Sequence, residues 1–312
     1  MESERMIMKS IIYFAIILFF FCTPLFASSP SDTLQLTLRN SFDANSSKAG
    51  PLVNATAIDI DNSGNLYIVD RGKHRLIKFS PNGAIINEVG GFGTAPEKFD
   101  DPRDVSSFST LNVFVADFNN NRIVRFDRNL NFLSNLTSQY DPPFDFEQVL
   151  SVAVGSQYEL FLLDNVEKKI VKFSRFSEPV EAFGGINEAY GQLLDPFQIT
   201  LDSGKRLFVS DPGQNAIVIF DYLGNYLMNL QYPEMEQPYG LYWGAGERLY
   251  AIDKSSDQLF VFSKELKFIG KIKLERYLKN AVDVAVTYNK TTNSRKIYIL
   301  TPEKCFILEQ IK

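Results

Sequence analysis

Three carboxylates, Asp59, Asp104 and Asp283, fall in two adjacent layers of segments that recur along the chain. Asp104, Ser151 and Gln198 follow one another at intervals of 47 residues; Ala57, Gly240 and, across an insertion, Asp283 complete that layer. Two residues further along stand Asp59, Ser106, Ala153, Thr200, Tyr242 and Ala285. In a strand both sets point the same way, about 7 Å apart. Three carboxylates facing one cavity cannot all stay charged without a cation or water among them. Oxygen-only ligands suit Ca2+ or Mg2+ rather than zinc. Asp59, Asp104 and Asp283 are therefore candidate metal ligands, with Gln198, Ser106, Thr200 and Ser151 as further oxygens. The competing arrangement is a solvated funnel in which each Asp accepts backbone N–H groups.

Other chemistries are poorly supplied. There is one histidine, His74, so no site can be built from two or three imidazoles and no Ser-His-Asp set is in place. Gly90-Gly91-Phe92-Gly93 precedes no helix and so makes no phosphate loop. Lys plus Arg number 32 against 37 Asp plus Glu, a net charge of −5, which gives no bulk attraction for nucleic acid.

Strands must position these residues. The chain of 312 residues is 45% hydrophobic and holds 27 Phe and 14 Tyr, a composition that favours sheet. An aromatic-aliphatic phrase ending in Asp closes at Asp70, Asp117, Asp164, Asp211 and Asp253, and a last copy ends in Thr301. The spacings are 47, 47, 47, 42 and 48 residues. Each unit reads as four short strands. In the first they cover residues 57–60, 66–69, 75–79 and 84–89, with Asn62-Ser63-Gly64-Asn65 and Pro81-Asn82-Gly83 as turns. Only residues 275–280 are compatible with a turn of helix. Four-stranded units at this period predict an all-β, six-bladed β-propeller. The last unit, residues 280–312, supplies three strands, at 281–287, 296–300 and 305–310. An N-terminal strand at 34–38 is expected to close it as the outer edge, hiding two exposed edges. The repeated Asp residues, one per blade, are expected to cap turn N–H groups rather than bind metal.

Residues 1–27 read as a signal peptide: Lys9, an apolar run over 11–22, and Ala27 before Ser28. The run is short for a membrane span. An exported monomer of residues 28–312, forming one domain without a stable span after cleavage, is expected. It would keep only Cys305, which lies in an apolar run and reads as a buried hydrophobe.

Asp70-Arg71-Gly72-Lys73-His74-Arg75-Leu76, with Asn120-Asn121-Arg122-Ile123 and Gln214-Asn215-Ala216-Ile217 in matching places, resembles the signature of NHL-repeat propellers. Pro102, Pro196 and Pro238, two residues ahead of the small-residue layer, fit the same pattern. The resemblance spans about residues 33–312. It implies that His74 is a hairpin residue, with Asn121, Lys169, Asn215 and Asp257 as counterparts. It also implies that the innermost strands line a central channel. Arg103 and Tyr239 then begin innermost strands at its mouth and Tyr242 faces its interior, so all three are candidate ligand contacts.

The resemblance is informative for fold and poor for role, because this fold hosts many. The first expectation is a non-catalytic protein- or ligand-binding scaffold that needs no cofactor. Its partner would be a protein, peptide or glycan on the blade-connecting loops, which carry Phe92, Phe99, Tyr140, Phe144, Phe146, Phe183 and Tyr190 among many acids. The alternative is a gluconolactonase-like hydrolase using Ca2+ or Mg2+ in the channel. A metal-dependent amidating lyase, another relative, would want several His ligands.

Overall fold

Short alternating runs bounded by Gly, Pro, Asn and Asp turns become 24 strands in the computed structural model, which describes residue 34 and residues 36–310 apart from 110, 156, 204 and 245, without the side chains of 108 and 109. The proposed signal segment lies outside the described residues. Those described fall in one unit, Thr33–Lys312, and none of their helices is long and apolar enough to cross a membrane.

After β1 (Thr37–Phe42), blade I comprises β2 (Ala55–Ile60), β3 (Leu66–Asp70), β4 (Arg75–Phe79) and β5 (Ile85–Gly90). Blade II holds β6 (Pro102–Ser109), β7 (Asn112–Asp117), β8 (Arg122–Asp127) and β9 (Phe132–Thr137). Blade III holds β10 (Val149–Val154), β11 (Leu160–Asp164), β12 (Ile170–Ser174) and β13 (Glu178–Phe183). Blade IV holds β14 (Ile199–Leu201), β15 (Leu207–Asp211), β16 (Ala216–Phe220) and β17 (Tyr226–Leu230). Blade V holds β18 (Pro238–Gly244), β19 (Arg248–Asp253), β20 (Gln258–Phe262) and β21 (Phe268–Lys273). Blade VI holds β22 (Asp283–Asn289), β23 (Ser294–Leu300) and β24 (Cys305–Gln310). Each blade is an antiparallel sheet in chain order, and β1 is the outer strand of blade VI, paired with β24. The innermost strands β2, β6, β10, β14, β18 and β22 touch in a closed ring.

The closing strand sits at 37–42 rather than 34–38. Leu34 and Leu36 instead pack into the apolar layer between blades V and VI, and Phe42 reaches Phe79 of blade I. Phe42 also lies over Gly83, where a Cβ would meet its ring at 2.4 Å and φ is +87°. Cores form between blades rather than within them. Tyr67, Val69 and Leu76 of blade I, for example, meet Val105, Val115 and Phe126 of blade II. Cys305 is buried in the layer between blades VI and I, where desolvation pushes its thiol up.

The repeated aspartates hold each blade to its own entry loop. Asp70 accepts the N–H groups of Val53 and Asn54, and Asp211 those of Leu194 and Asp195. Asp253 accepts those of Glu236 and Gln237, Asp117 that of Asp100, and Asp164 that of Glu147. Thr301 of blade VI instead bonds Lys304 locally. His74 is the left-handed residue ending a 3-10 turn (Arg71–Lys73), with φ 52°, and its Nδ1 accepts the Asp101 N–H of the next blade. Asn121, Asn215 and Asp257 share that backbone conformation; in blade III the residue is Lys168, one before the expected Lys169.

Candidate functional site: a barred channel with a basic mouth

The channel-lining layers are real, but their first function is to bond blade to blade. Asp104 Oδ2 accepts Ser151 Oγ–H and the Val152 N–H of blade III. Ser151 Oγ accepts the Ile199 N–H of blade IV, Gln198 Oε1 the Leu241 N–H of blade V, and Asp283 Oδ2 the Ile58 N–H of blade I. The belt skips the blades that carry Ala57 and Gly240. At Gly240 a Cβ would lie 2.6 Å from Asp283 Cα, and Asp283 Oδ1 takes its own neighbour's N–H, that of Val284.

Gln198 then crosses the axis. Its Nε2 donates to Asp283 Oδ2 at 3.2 Å and to Asp104 Oδ1 at 3.4 Å. Blades II, IV and VI thus meet in a buried carboxylate–amide–carboxylate bar. Asp59 does not join it. One layer lower, Asp59 Oδ2 accepts the Ser107 N–H and hydroxyl and Oδ1 the Ile60 N–H. The three carboxylates are therefore arranged as acceptors of N–H groups. Among the described residues no three His, Cys, Asp or Glu converge on a point fit for a metal ion.

Burial pushes the Asp59 and Asp104 carboxyls up to about 6, partly offset by these N–H donors. Asp283 is held well above the carboxylate range by burial and then by the charge of Asp104. These carboxyls bind protons more tightly folded than unfolded. Their stabilisation is complete below about pH 4 and is lost as pH rises through about 6 and, for Asp283, beyond. The thermal midpoint should therefore rise on going from about pH 7.5 to about pH 5.5, by roughly 5–10 °C for the set. Asp59→Asn should flatten that slope; a midpoint that fell over this range would contradict it.

The bar divides the channel into two cavities. The lower, about 460 Å3, is lined by the second layer: Asp59, Ser106, Ala153, Thr200 and Tyr242. Burial, and then the charge of Asp59, push the Tyr242 phenol up.

The upper cavity, about 400 Å3, is the mouth. Arg103 and Tyr239 line it as expected. Arg71, Phe197, Lys254 and Thr56 join them, unmarked in the sequence reading. The Phe197 and Tyr239 rings stack at 3.4 Å, and Lys254 Nζ sits 4.1 Å from the Tyr239 centroid. Arg71 and Arg103 both pair with Asp101, while Arg103 lies over the Phe118 ring. Burial pushes the Tyr239 phenol up to about 12, against the pull of Arg103 and Arg71. The Thr56 hydroxyl is buried and unpartnered among the described residues. The signal for the missed residues was positional. Arg71 and Lys254 each follow a repeated Asp, and Phe197 stands in the same place before the small-residue layer as Arg103 and Tyr239. Strand alternation points that place away from the channel, but bulges at the starts of β2, β6, β10 and β18 break the alternation.

The loop aromatics divide. Phe99, Phe146 and Phe183 are buried between blades and Tyr140 and Phe144 are half-buried, whereas Phe92 and Tyr190 are 71% and 79% exposed.

Residues 99–126 match the NHL repeat family model. No curated protein matches the chain. Among solved structures, virginiamycin B lyase from Staphylococcus aureus aligns with a TM-score of 0.60 at 13% identity, over 89% of this chain and 100% of that one. A catalytically inactive His-to-Ala variant of that lyase with quinupristin aligns at 0.58 and 13%, over 89% and 99%. A streptogramin B lyase aligns at 0.57 and 15%, over 81% and 78%. At such identities the likeness is one of fold.

Proposed function

We propose that this chain, an NHL-repeat six-bladed β-propeller, is a non-catalytic binding module whose mouth takes a carboxylate and an adjoining aromatic ring from a protein or peptide partner. The observation that carries this is the cavity in which Arg71, Arg103 and Lys254 surround the Phe197–Tyr239 stack. Asp101 engages Arg71 through Nε and Arg103 through Nε and Nη2, which leaves guanidinium N–H groups for a second carboxylate. Arginine and aromatic side chains in a concave site are the usual anchors of recognition. The Thr56 hydroxyl offers one further hydrogen bond. Acidic loops around this basic spot disfavour polyanions while admitting a single acidic side chain. Exposed Phe92 and Tyr190, both on connections that enter innermost strands, extend the surface.

The lyase neighbours are enzymes, and one is inactivated by loss of a histidine. Here the single His74 accepts a backbone N–H and packs edge-on to Phe92, so no imidazole stands in either cavity for acid–base work. The channel carboxylates, filled with N–H donors, serve ring closure in this reading rather than a cation. A thermal melt with EDTA and then with Ca2+ or Mg2+ should accordingly leave the midpoint unchanged; a midpoint raised by cation and lost in Asp104→Asn would restore the metal-dependent hydrolase.

The binding reading is tested with labelled peptides pairing Glu with Phe or Tyr, titrated into the protein. Arg103→Gln should weaken the best peptide at least tenfold, about 1.4 kcal/mol. Replacing the peptide's Glu by Gln should do the same, and added salt should weaken binding. Equal affinity for the Glu and Gln peptides would overturn the proposal.

A further inference from the structure

The lower chamber is a separate cavity, divided from the mouth by the Gln198 bar. Its volume of about 460 Å3 falls in the range of small-molecule pockets. It is large enough for about 15 waters at liquid density. Val105, Val152, Val154, Ile199, Leu201 and Trp243 supply apolar wall that would hold such waters poorly. Trp243 is fixed as a flat surface. It stacks on Phe208 with an interplanar angle of 11°, and the Arg206 guanidinium lies over both rings.

Two polar features aim the wall at a ligand. The first is charge. Asp59 and Asp104 line the chamber, and neither forms an ion pair among the described residues. The lining cation, Lys205, sits on the Tyr222 ring with its Nζ 4.4 Å from the centroid. The second is an orphan: Tyr222 lines the chamber, and its hydroxyl is buried with no hydrogen-bond partner among the described residues. A cavity with one apolar wall, two carboxylates that hold N–H donors but no cation, and an unpartnered Tyr222 hydroxyl suits an amphiphilic cation. The body must be hydrophobic and one end must donate hydrogen bonds and carry positive charge.

We infer that the lower chamber binds a small hydrophobic amine, its ring or chain against Trp243 and its ammonium toward Asp59. This stands independently of the mouth, since the two cavities share no side chain.

Trp243 is the sole tryptophan, so its emission reports the chamber directly. The protein is titrated with 1-naphthylmethylamine, 1-naphthalenemethanol and 1-naphthaleneacetate, which share one ring system and differ in charge. Binding is read by calorimetry and by Trp243 emission. The amine should saturate at one site per chain, change Trp243 emission, and bind at least tenfold tighter than the acetate. Asp59→Asn should remove most of the amine's advantage and leave the alcohol's affinity in place, which also shows that the variant is folded. Arg103→Gln at the mouth should leave amine binding unchanged. Equal affinity for amine and acetate, an amine affinity indifferent to Asp59→Asn, or binding silent at Trp243 would each overturn the inference.

Discussion

Gln198→Glu should destabilise the protein by roughly 4 kcal/mol or more at about pH 7.5, with much of the loss recovered near pH 5. The amide at the axis accepts the Leu241 N–H and gives its own N–H groups to Asp104 and Asp283. Glutamate keeps the acceptor but replaces the donor with a third carboxyl in a site where Asp283 already holds its proton well above the ordinary range. Like charges in so dry a place cannot all ionise. Below about pH 5 the new carboxyl is protonated and can donate once, hence the recovery. Gln198→Leu separates this from simple loss of contact. It leaves the Leu241 N–H unpaired and removes both donated bonds, at a cost of about 2–4 kcal/mol with a weaker pH dependence. Chemical denaturation at the two pH values reads both variants. A Glu variant as stable as the native chain at neutral pH would mean that the bar does not bridge blades II, IV and VI.

Removing the chain up to Phe42 should be still more damaging, because it opens the ring. The Leu34 N–H donates to Lys271 O, and Tyr277 Oη donates to Leu36 O, so this segment is tied to blade V and to the turn that follows it before it pairs with β24. Burying Leu36 contributes about 1.5–3 kcal/mol and half-burying Phe42 about half that. Adding the β1–β24 ladder at about 1 kcal/mol per bond gives roughly 5–10 kcal/mol. That is comparable to the whole stability of an ordinary domain, about 5–15 kcal/mol. The shortened chain should lose its cooperative melt and aggregate through the bare β24 edge. A cooperative melt within a few degrees of the native one would show that the ring stays closed without β1.

The fold was legible because the chain states it repeatedly. A phrase such as Phe208-Val209-Ser210-Asp211 encodes a buried strand and the carboxylate that ties it to its entry loop, and the bonds of Asp70, Asp117, Asp164, Asp211 and Asp253 follow that reading. The site was legible only in part. Strand alternation placed Asp104, Gln198 and Asp283 in one layer correctly. It could not show that the Gln198 side chain reaches across the axis, because sequence gives a direction for a side chain but not its partners across the ring. Layer spacing puts Asp59 near the other two, yet it stays out of the bar, lining the lower chamber while it accepts from Ser107 of the neighbouring strand. Arg71, Phe197 and Lys254 were missed for two physical reasons. Phe197 stands just ahead of β14, outside the strand, so alternation does not set its direction, and the hairpin residues after each Asp reach the mouth only once blades are arranged around an axis.

The most direct test of the mouth as the binding site is a crystal structure of the protein with the tightest Glu-aromatic peptide. The account predicts the peptide carboxylate within hydrogen-bonding distance of Arg71 and Arg103, its ring against the Phe197–Tyr239 stack, and the Asp104–Gln198–Asp283 bar intact beneath it. A peptide seated along an outer blade edge, or one whose carboxylate faces solvent while the mouth stays empty, would contradict it.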